Sequence, residues 1–252
     1  MTAEKNRQRL VYGVHPVREV LRANQALTEV LIVNGRSDDA VMEEIVLLAN
    51  TARVPVRYVA PQELERHTTD TVHQGVVAFG PPINALSVTA ALARAGKHGR
   101  PALFVALDQV TDPQNVGSIA RSAEVFGADG IILPTRRSSP VTAVAEKAAA
   151  GAFAHLPLIL VGNLVQALGE LGAAGVWSLG LAGEAPGELA DHPLLGEPVV
   201  LVVGAEGRGL SPLVQKRVDG LVRLPMFGQV GSLNAAVAAA VGLYTLRQHA
   251  RF

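Results

Sequence analysis

Residues 199–244 read VVLVVGAEGRGLSPLVQKRVDGLVRLPMFGQVGSLNAAVAAAVGLY, and the reading of this stretch decides the fold. Val199 to Val203 is an apolar run suited to a strand buried on both faces, and it breaks at Gly204 into a loop carrying one acid, Glu206. A second short run, Leu221 to Leu224, ends at Pro225. A loop follows, and then an Ala-rich helix from about Asn234, with Ser232 or Asn234 placed to cap its free amide groups. Two strand ends and a helix start converge here, an arrangement in which α/β proteins hold small ligands.

Working outward, the region from about residue 100 onward alternates candidate strands with helical segments. The strands are Ala102 to Leu107, Gly130 to Leu133, Leu156 to Val161, Val176 to Leu181, Val199 to Val203 and Leu221 to Leu224. Apolar runs alternating with helices predict a parallel sheet covered by helices. The first eighty residues read as a smaller α/β unit: a helix over Val17 to Ala23, strands at Glu29 to Val33, Val56 to Val59 and Gly75 to Phe79, and a helix over Asp39 to Thr51 begun by Ser37 and Asp38. Pro81-Pro82 and the Gly/Lys/His/Arg stretch before Pro101 mark the division. The expected organisation is residues 1–80, a linker over 81–100, and a second domain over 101–252.

Composition narrows the function. The 252 residues are 49% apolar and 17% charged, so the chain can build a core, and no apolar run approaches the roughly 20 residues of a membrane span. The N-terminal MTAEKNRQRL lacks the apolar segment of a signal peptide, and the expected location is the cytoplasm. Absence of cysteine excludes disulfides and Cys-ligated metal sites, and the seven histidines show no ligand spacing, so no metal is assigned. Basic and acidic residues number 22 each, so any basic surface is local; Arg7 with Arg9 and Arg136 with Arg137 are the candidates, each equally readable as a solvated pair.

A second polar loop follows the strand ending at Leu107. In DQVTDPQNVGSIAR, residues 108–121, Asn115 sits where an N-cap belongs, and Val116, Ile119, Ala120, Ala123 and Phe126 form an apolar stripe. Arg121 falls roughly 200° around the helix from Ile119, so its guanidinium faces solvent or a ligand. Gly204, Gly207 and Gly209 do not give the dinucleotide fingerprint, no Walker Lys-Ser/Thr follows, and no serine-hydrolase elbow occurs.

Three segments together, DPQNVGSIAR from Asp112, VVGAEGRGLS from Val202 and LPMFGQVGSLNAAVA from Leu224, resemble the three motifs of the SpoU/TrmH family of RNA ribose methyltransferases. The N-terminal segments YGVHPVREVL and HQGVVA resemble the ribosomal-protein-like RNA-binding module of the subgroup that methylates guanosine in large-subunit (23S) ribosomal RNA. The resemblance implies a C-terminal trefoil-knotted parallel-sheet domain, S-adenosylmethionine as methyl donor, RNA as substrate and a homodimer through the C-terminal domain. It implies cofactor contacts at Gly204, Leu224 and Leu233. It assigns Arg121 to the ribose hydroxyl, as transient base or as a charge stabilising the alkoxide. Asn115 accompanies Arg121, Glu206 orients the loop or substrate, and Ser232 and Asn234 cap the last helix or contact cofactor or substrate. Arg208 receives no role. Other readings are a tRNA ribose or antibiotic-resistance methyltransferase, and, from another class, a non-catalytic RNA-binding assembly factor.

Overall fold

The computed structural model describes residues 8–36, 39–68 and 73–249. Contacts divide the chain into two compact units, residues 1–84 with 141–155, and residues 85–140 with 156–252.

The first unit is a four-stranded mixed sheet. β1 (Arg9–Tyr12), α1 (Val14–Arg22), β2 (Glu29–Val33), α2 (Ala40–Thr51), β3 (Val56–Val59), α3 (Pro61–Glu65) and β4 (Val76–Gly80) succeed one another in sequence. The sheet order is β1-β4-β2-β3. β2 and β3 run parallel, joined by α2 as the alternating pattern requires, whereas β4 lies antiparallel to both β1 and β2. Strand side chains alternate between two cores: Val11, Val30, Ile32, Val76 and Ala78 pack with α1 and α2 on one face. Tyr12, Leu31, Val59 and Val77 meet Leu64 of α3 on the other. α2 is capped by Asp39, whose side chain accepts from Val41 N at 3.0 Å. The expected starters Ser37 and Asp38 lie outside the described residues.

Ala143–Ala148, an Ala-rich helix distant in sequence, packs with this unit and against β1. Its Glu146 is fully buried and takes Nε and Nη2 of Arg9 on its two oxygens, at 2.5 and 3.1 Å. Arg9 Nη1 donates to Gln25 Oε1 at 2.6 Å, and Gln25 holds the carbonyls of Phe153 and Ala154. Arg9 is therefore an internal ion-pair partner, not the surface charge expected of it; its sequence companion Arg7 lies outside the described residues. Burial pushes the Glu146 carboxyl above its ordinary range, and the Arg9 guanidinium pulls it back.

The second unit is a seven-stranded parallel sheet, in the order β7-β6-β5-β10-β8-β11-β9. Its elements are α4 (Val88–Ala95), β5 (Leu103–Asp108), α5 (Pro113–Val125), β6 (Gly130–Pro134), β7 (Leu158–Val161), α7 (Leu164–Ala173), β8 (Trp177–Leu181), β9 (Gly187–Glu188), β10 (Val199–Gly204), α8 (Pro212–Gln215), β11 (Gly220–Arg223) and α9 (Ala235–Gln248); α6 is the Ala143–Ala148 helix. β5 and β10 are buried on both faces, which is why they read as unbroken apolar runs. Phe104, Ala106, Val200 and Val202 point into the core shared with α4 and α7. α5 and α9 pack against each other, and α9 lies on β10. Within β10–α9 packing, a side chain at Gly242 would press on Leu201, so the small residues of α9 permit the approach.

Chain order reverses between β5 and β10. From β5 the sheet proceeds through β6 to β7 on one side, while β10 opens the other, and their C-terminal residues Asp108 and Gly204 are paired in register. This is a topological switch point, where loops diverge and leave a crevice. Among the described residues, no helix is long and apolar enough to cross a membrane, and no group of three or more His, Asp or Glu could hold a metal ion.

Candidate active site

The two loops leaving this switch point carry the first two sequence motifs. After β5, Asp112 caps α5 by accepting from Gln114 N at 2.9 Å, with Pro113 in the first turn. Asn115 is thus not the cap expected from the sequence. It lies one turn inside the helix, buried, with its carboxamide free to reach across to other loops.

It reaches Glu206. Asn115 Nδ2 donates to Glu206 Oε1 at 3.1 Å, and Asn234 Nδ2 donates both to Asn115 Oδ1 at 2.9 Å and to the same Glu206 oxygen. Asn234 Oδ1 meanwhile accepts from Ala236 N at 2.9 Å and Val237 N at 3.3 Å. One residue caps α9 and ties three motifs together. The choice between Ser232 and Asn234 as cap is settled for Asn234; Ser232 is exposed and makes no side-chain hydrogen bond among the described residues.

The loop holding Glu206 is pinned by a two-way backbone exchange, Ala205 N to Gly209 O at 3.1 Å and Gly209 N to Ala205 O at 2.8 Å. It folds so tightly that a side chain on Gly204 would overlap the backbone of Gly209 and Leu210. Asp108, buried at the end of β5, accepts from Ser211 N at 2.6 Å and so fixes the far end of the same loop.

A cleft of about 920 Å³ opens beside this cluster, lined among others by Leu181, Gly204, Glu206, Ser232, Leu233 and Asn234. Its size suits a nucleoside-sized ligand, and its mix of apolar side chains with a few convergent polar groups is that of a cofactor pocket. Gly204 and Leu233 line it. Leu224, half-buried after β11, is not among its described lining residues. Arg121 is exposed on α5 and forms no hydrogen bond or ion pair among the described residues. The fold therefore gathers Asn115, Glu206 and Asn234 by hydrogen bonds and sets Ser232, Leu233 and Gly204 around the cleft, while Arg121 is not tied into the cluster. Sequence reasoning missed Gln109, whose φ of 61° turns the chain directly after β5. A left-handed non-glycine residue leaves no signal in the sequence.

Comparison with known proteins identifies the family. Residues 102–244 match the SpoU rRNA methylase family, and residues 10–85 match the RNA 2′-O-ribose methyltransferase substrate-binding family. An uncharacterised tRNA/rRNA methyltransferase of Mycolicibacterium vanbaalenii is 39% identical over 96% of this chain and 77% of its own length. The 23S rRNA (guanosine-2′-O-)-methyltransferase RlmB of Pseudomonas putida is 37% identical over 93% of this chain and 94% of its own. Among solved structures, the SpoU methyltransferase AviRb of Streptomyces viridochromogenes in complex with AdoMet superposes with a TM-score of 0.81 at 25% identity, covering 97% of this chain and 91% of that one. The chain belongs to the SpoU rRNA methylase family, and its N-terminal region carries the substrate-binding module of RNA 2′-O-ribose methyltransferases.

Proposed function

We propose that the chain transfers the methyl group of S-adenosylmethionine to a ribose 2′-hydroxyl of RNA, with a guanosine of 23S rRNA as target, in the cytoplasm. The observation that carries this is the Asn115–Glu206–Asn234 cluster at the rim of the switch-point cleft. The substrate is supported by the Pseudomonas putida relative, which matches this chain along nearly the whole of both lengths, N-terminal module included.

Gly204, Leu233 and Ser232 are the residues that would hold the cofactor, with apolar contact from Leu233 and backbone groups at the β10 end; Leu224, which follows β11, is proposed with them from the resemblance alone. When bound, the cofactor supplies a sulfonium-activated methyl group. The protein must orient the ribose hydroxyl and stabilise charge as its proton leaves, and positioning alone supplies a large part of such an acceleration. Glu206 is held by two amide donors on Oε1, leaving Oε2 to accept from the ribose. Arg121 acts by charge: arginine is in practice always protonated, and its forked donors suit a developing alkoxide and an adjacent phosphate.

Arg121 is exposed and forms no hydrogen bond or ion pair with the cluster of its own chain, and we assign it to the site of a second copy in a C2 homodimer. Val237, Val241 and Tyr244 form an exposed stripe on α9, and Val125 on the neighbouring α5 is 66% exposed, which supports a face between copies. The C-terminal part is proposed to be threaded as a trefoil knot, in keeping with β10 lying between the earlier strands β5 and β8. Labelled-methyl transfer to unmodified 23S rRNA and to tRNA, run in parallel, tests the substrate. Incorporation into tRNA alone would overturn the rRNA assignment and favour a tRNA ribose enzyme.

A further inference from the structure

The cofactor cleft does not end at Glu206. A second cleft, of about 660 Å³, is lined by Gln109, Thr111, Arg137, Ala205, Glu206 and Arg208, so it shares Ala205, Glu206 and Arg208 with the first. A third, of about 310 Å³, shares Gln109 and Arg137 with the second and adds Arg136 and Asn163. The three clefts adjoin through these shared residues at the C-terminal ends of β10, β5 and β6, and the first borders Glu206 and Asn234 of the cluster.

Three arginines line this groove of adjoining clefts, and all are exposed with no hydrogen bond or ion pair among the described residues. In the same unit Arg100 pairs with Asp129, Arg223 with Glu188, and Arg247 with the carbonyls of Phe126 and Gly127, whereas Arg94, Arg121 and Arg217 are unpaired like the groove arginines but line none of these clefts. The groove arginines are also held by constrained backbone. Arg208 lies between Gly207 and Gly209, with φ of 72° and 63°, on the turn closed by Ala205 and Gly209. Arg137 itself has φ of 58°, on a loop tied to Val110 by Ser139 N at 3.0 Å and Ser138 Oγ at 3.3 Å. Unpaired guanidinium groups carried on constrained backbone along these clefts suit a chain of phosphates, which they can take by forked hydrogen bonds. The single carboxylate lining the second cleft is Glu206, and the third adds Asp108, which is buried and accepts from Ser211 N, so an anionic backbone is drawn to the arginine side while a ribose hydroxyl faces Glu206.

We propose that Arg208 and Arg137, extended by Arg136, form a track that holds the phosphodiester backbone of a single RNA strand on one side of the target nucleotide and so presents its ribose to Glu206. This rests on the reading of the chain as an RNA methyltransferase. The track contacts backbone, not base edges, so it sets position and not sequence preference.

The test uses the full chain with R208A, R137A, the double alanine variant and the double variant R137K/R208K. KM for RNA, RNA affinity across a salt series, and S-adenosylmethionine affinity by calorimetry are measured, with circular dichroism to confirm folding. Hydrogen bonds to charged groups being worth about 1.5–3 kcal/mol, each alanine variant should raise KM for RNA about tenfold or more. The double variant should lower the slope of log affinity against log salt by about 1.4, two contacts at about 0.7 each for a single strand. S-adenosylmethionine affinity should not change in R137A, whose side chain lies outside the cofactor cleft, and the lysine variant should restore most of the salt slope. An unchanged KM and slope in the double alanine variant would overturn the proposal, as would a loss of S-adenosylmethionine affinity in R137A. If the wild type transferred no methyl to RNA while the salt slope still fell in the double variant, the track would stand and the catalytic reading would fall.

Discussion

Asn234 donates its carboxamide to Asn115 at 2.9 Å while its carbonyl oxygen caps α9 through Ala236 N, so the starts of α9 and α5 are joined through one side chain. Cap and site can be separated by substitution. Asn234→Ala removes both, and loss of the cap alone costs about 1 kcal/mol. Asn234→Asp keeps an acceptor for the helix amides but sets a carboxylate against Glu206. Denaturant unfolding should show the aspartate variant close to wild type and the alanine variant less stable, while methyl transfer is strongly reduced in both. Normal turnover in the aspartate variant would remove Asn234 from the site.

Arg121 gives a different pattern. It is exposed and forms no hydrogen bond or ion pair among the described residues, so Arg121→Ala should leave unfolding stability within about 0.5 kcal/mol of wild type. Turnover should nevertheless fall by two or more orders of magnitude, since electrostatic stabilisers at a developing charge contribute about 10²–10³. S-adenosylmethionine affinity, measured by calorimetry, should be retained. Near-normal turnover would refute the role.

The apolar stripe on α9 predicts an oligomer. Val241→Glu places a charge on the exposed face without touching the buried residues Ala239, Gly242 and Leu243. Sedimentation should show the wild type as a dimer and the variant as a monomer, with turnover lost alongside. A variant that remains dimeric would move the interface elsewhere.

In the first unit, the Arg9–Glu146 pair predicts non-additive stability. Removing one partner strands a buried charge, and Arg9→Met or Glu146→Leu alone should cost about 3–5 kcal/mol. The double replacement, apolar on both sides, should be clearly less destabilised than the sum of the two. Additive losses in urea unfolding would show that the pair is not coupled.

The second sheet was legible in the sequence because β5, β6 and β10 are buried on both faces, which writes them as continuous Val/Ile/Leu runs. β1 and β9 were not: β1 is four residues headed by Arg9, whose burial depends on a partner 137 positions away, and β9 is only two residues long. Asn115 was misplaced as a cap because its type suits the role, although the Asp112-Pro113 pair beside it is the stronger start signal. The packing of Ala143–Ala148 with the first unit has no local signature, since an Ala-rich helix fits many surfaces. The motif residues were identifiable by type and spacing, but their union was not. Asn115 lies 91 and 119 positions from its partners Glu206 and Asn234, and the pairing appears only once the sheet order sets β10 against β5.

The central claim, that the Asn115–Glu206–Asn234 cluster is where a ribose of ribosomal RNA is methylated, is tested most directly by mapping the product. Unmodified 23S rRNA incubated with the protein and S-adenosylmethionine should acquire one linkage resistant to alkaline hydrolysis, at a guanosine, and Asn115→Ala should abolish it while leaving the fold intact. Methyl label found on a base instead of a ribose, or an unchanged product with Asn115→Ala, would contradict the account.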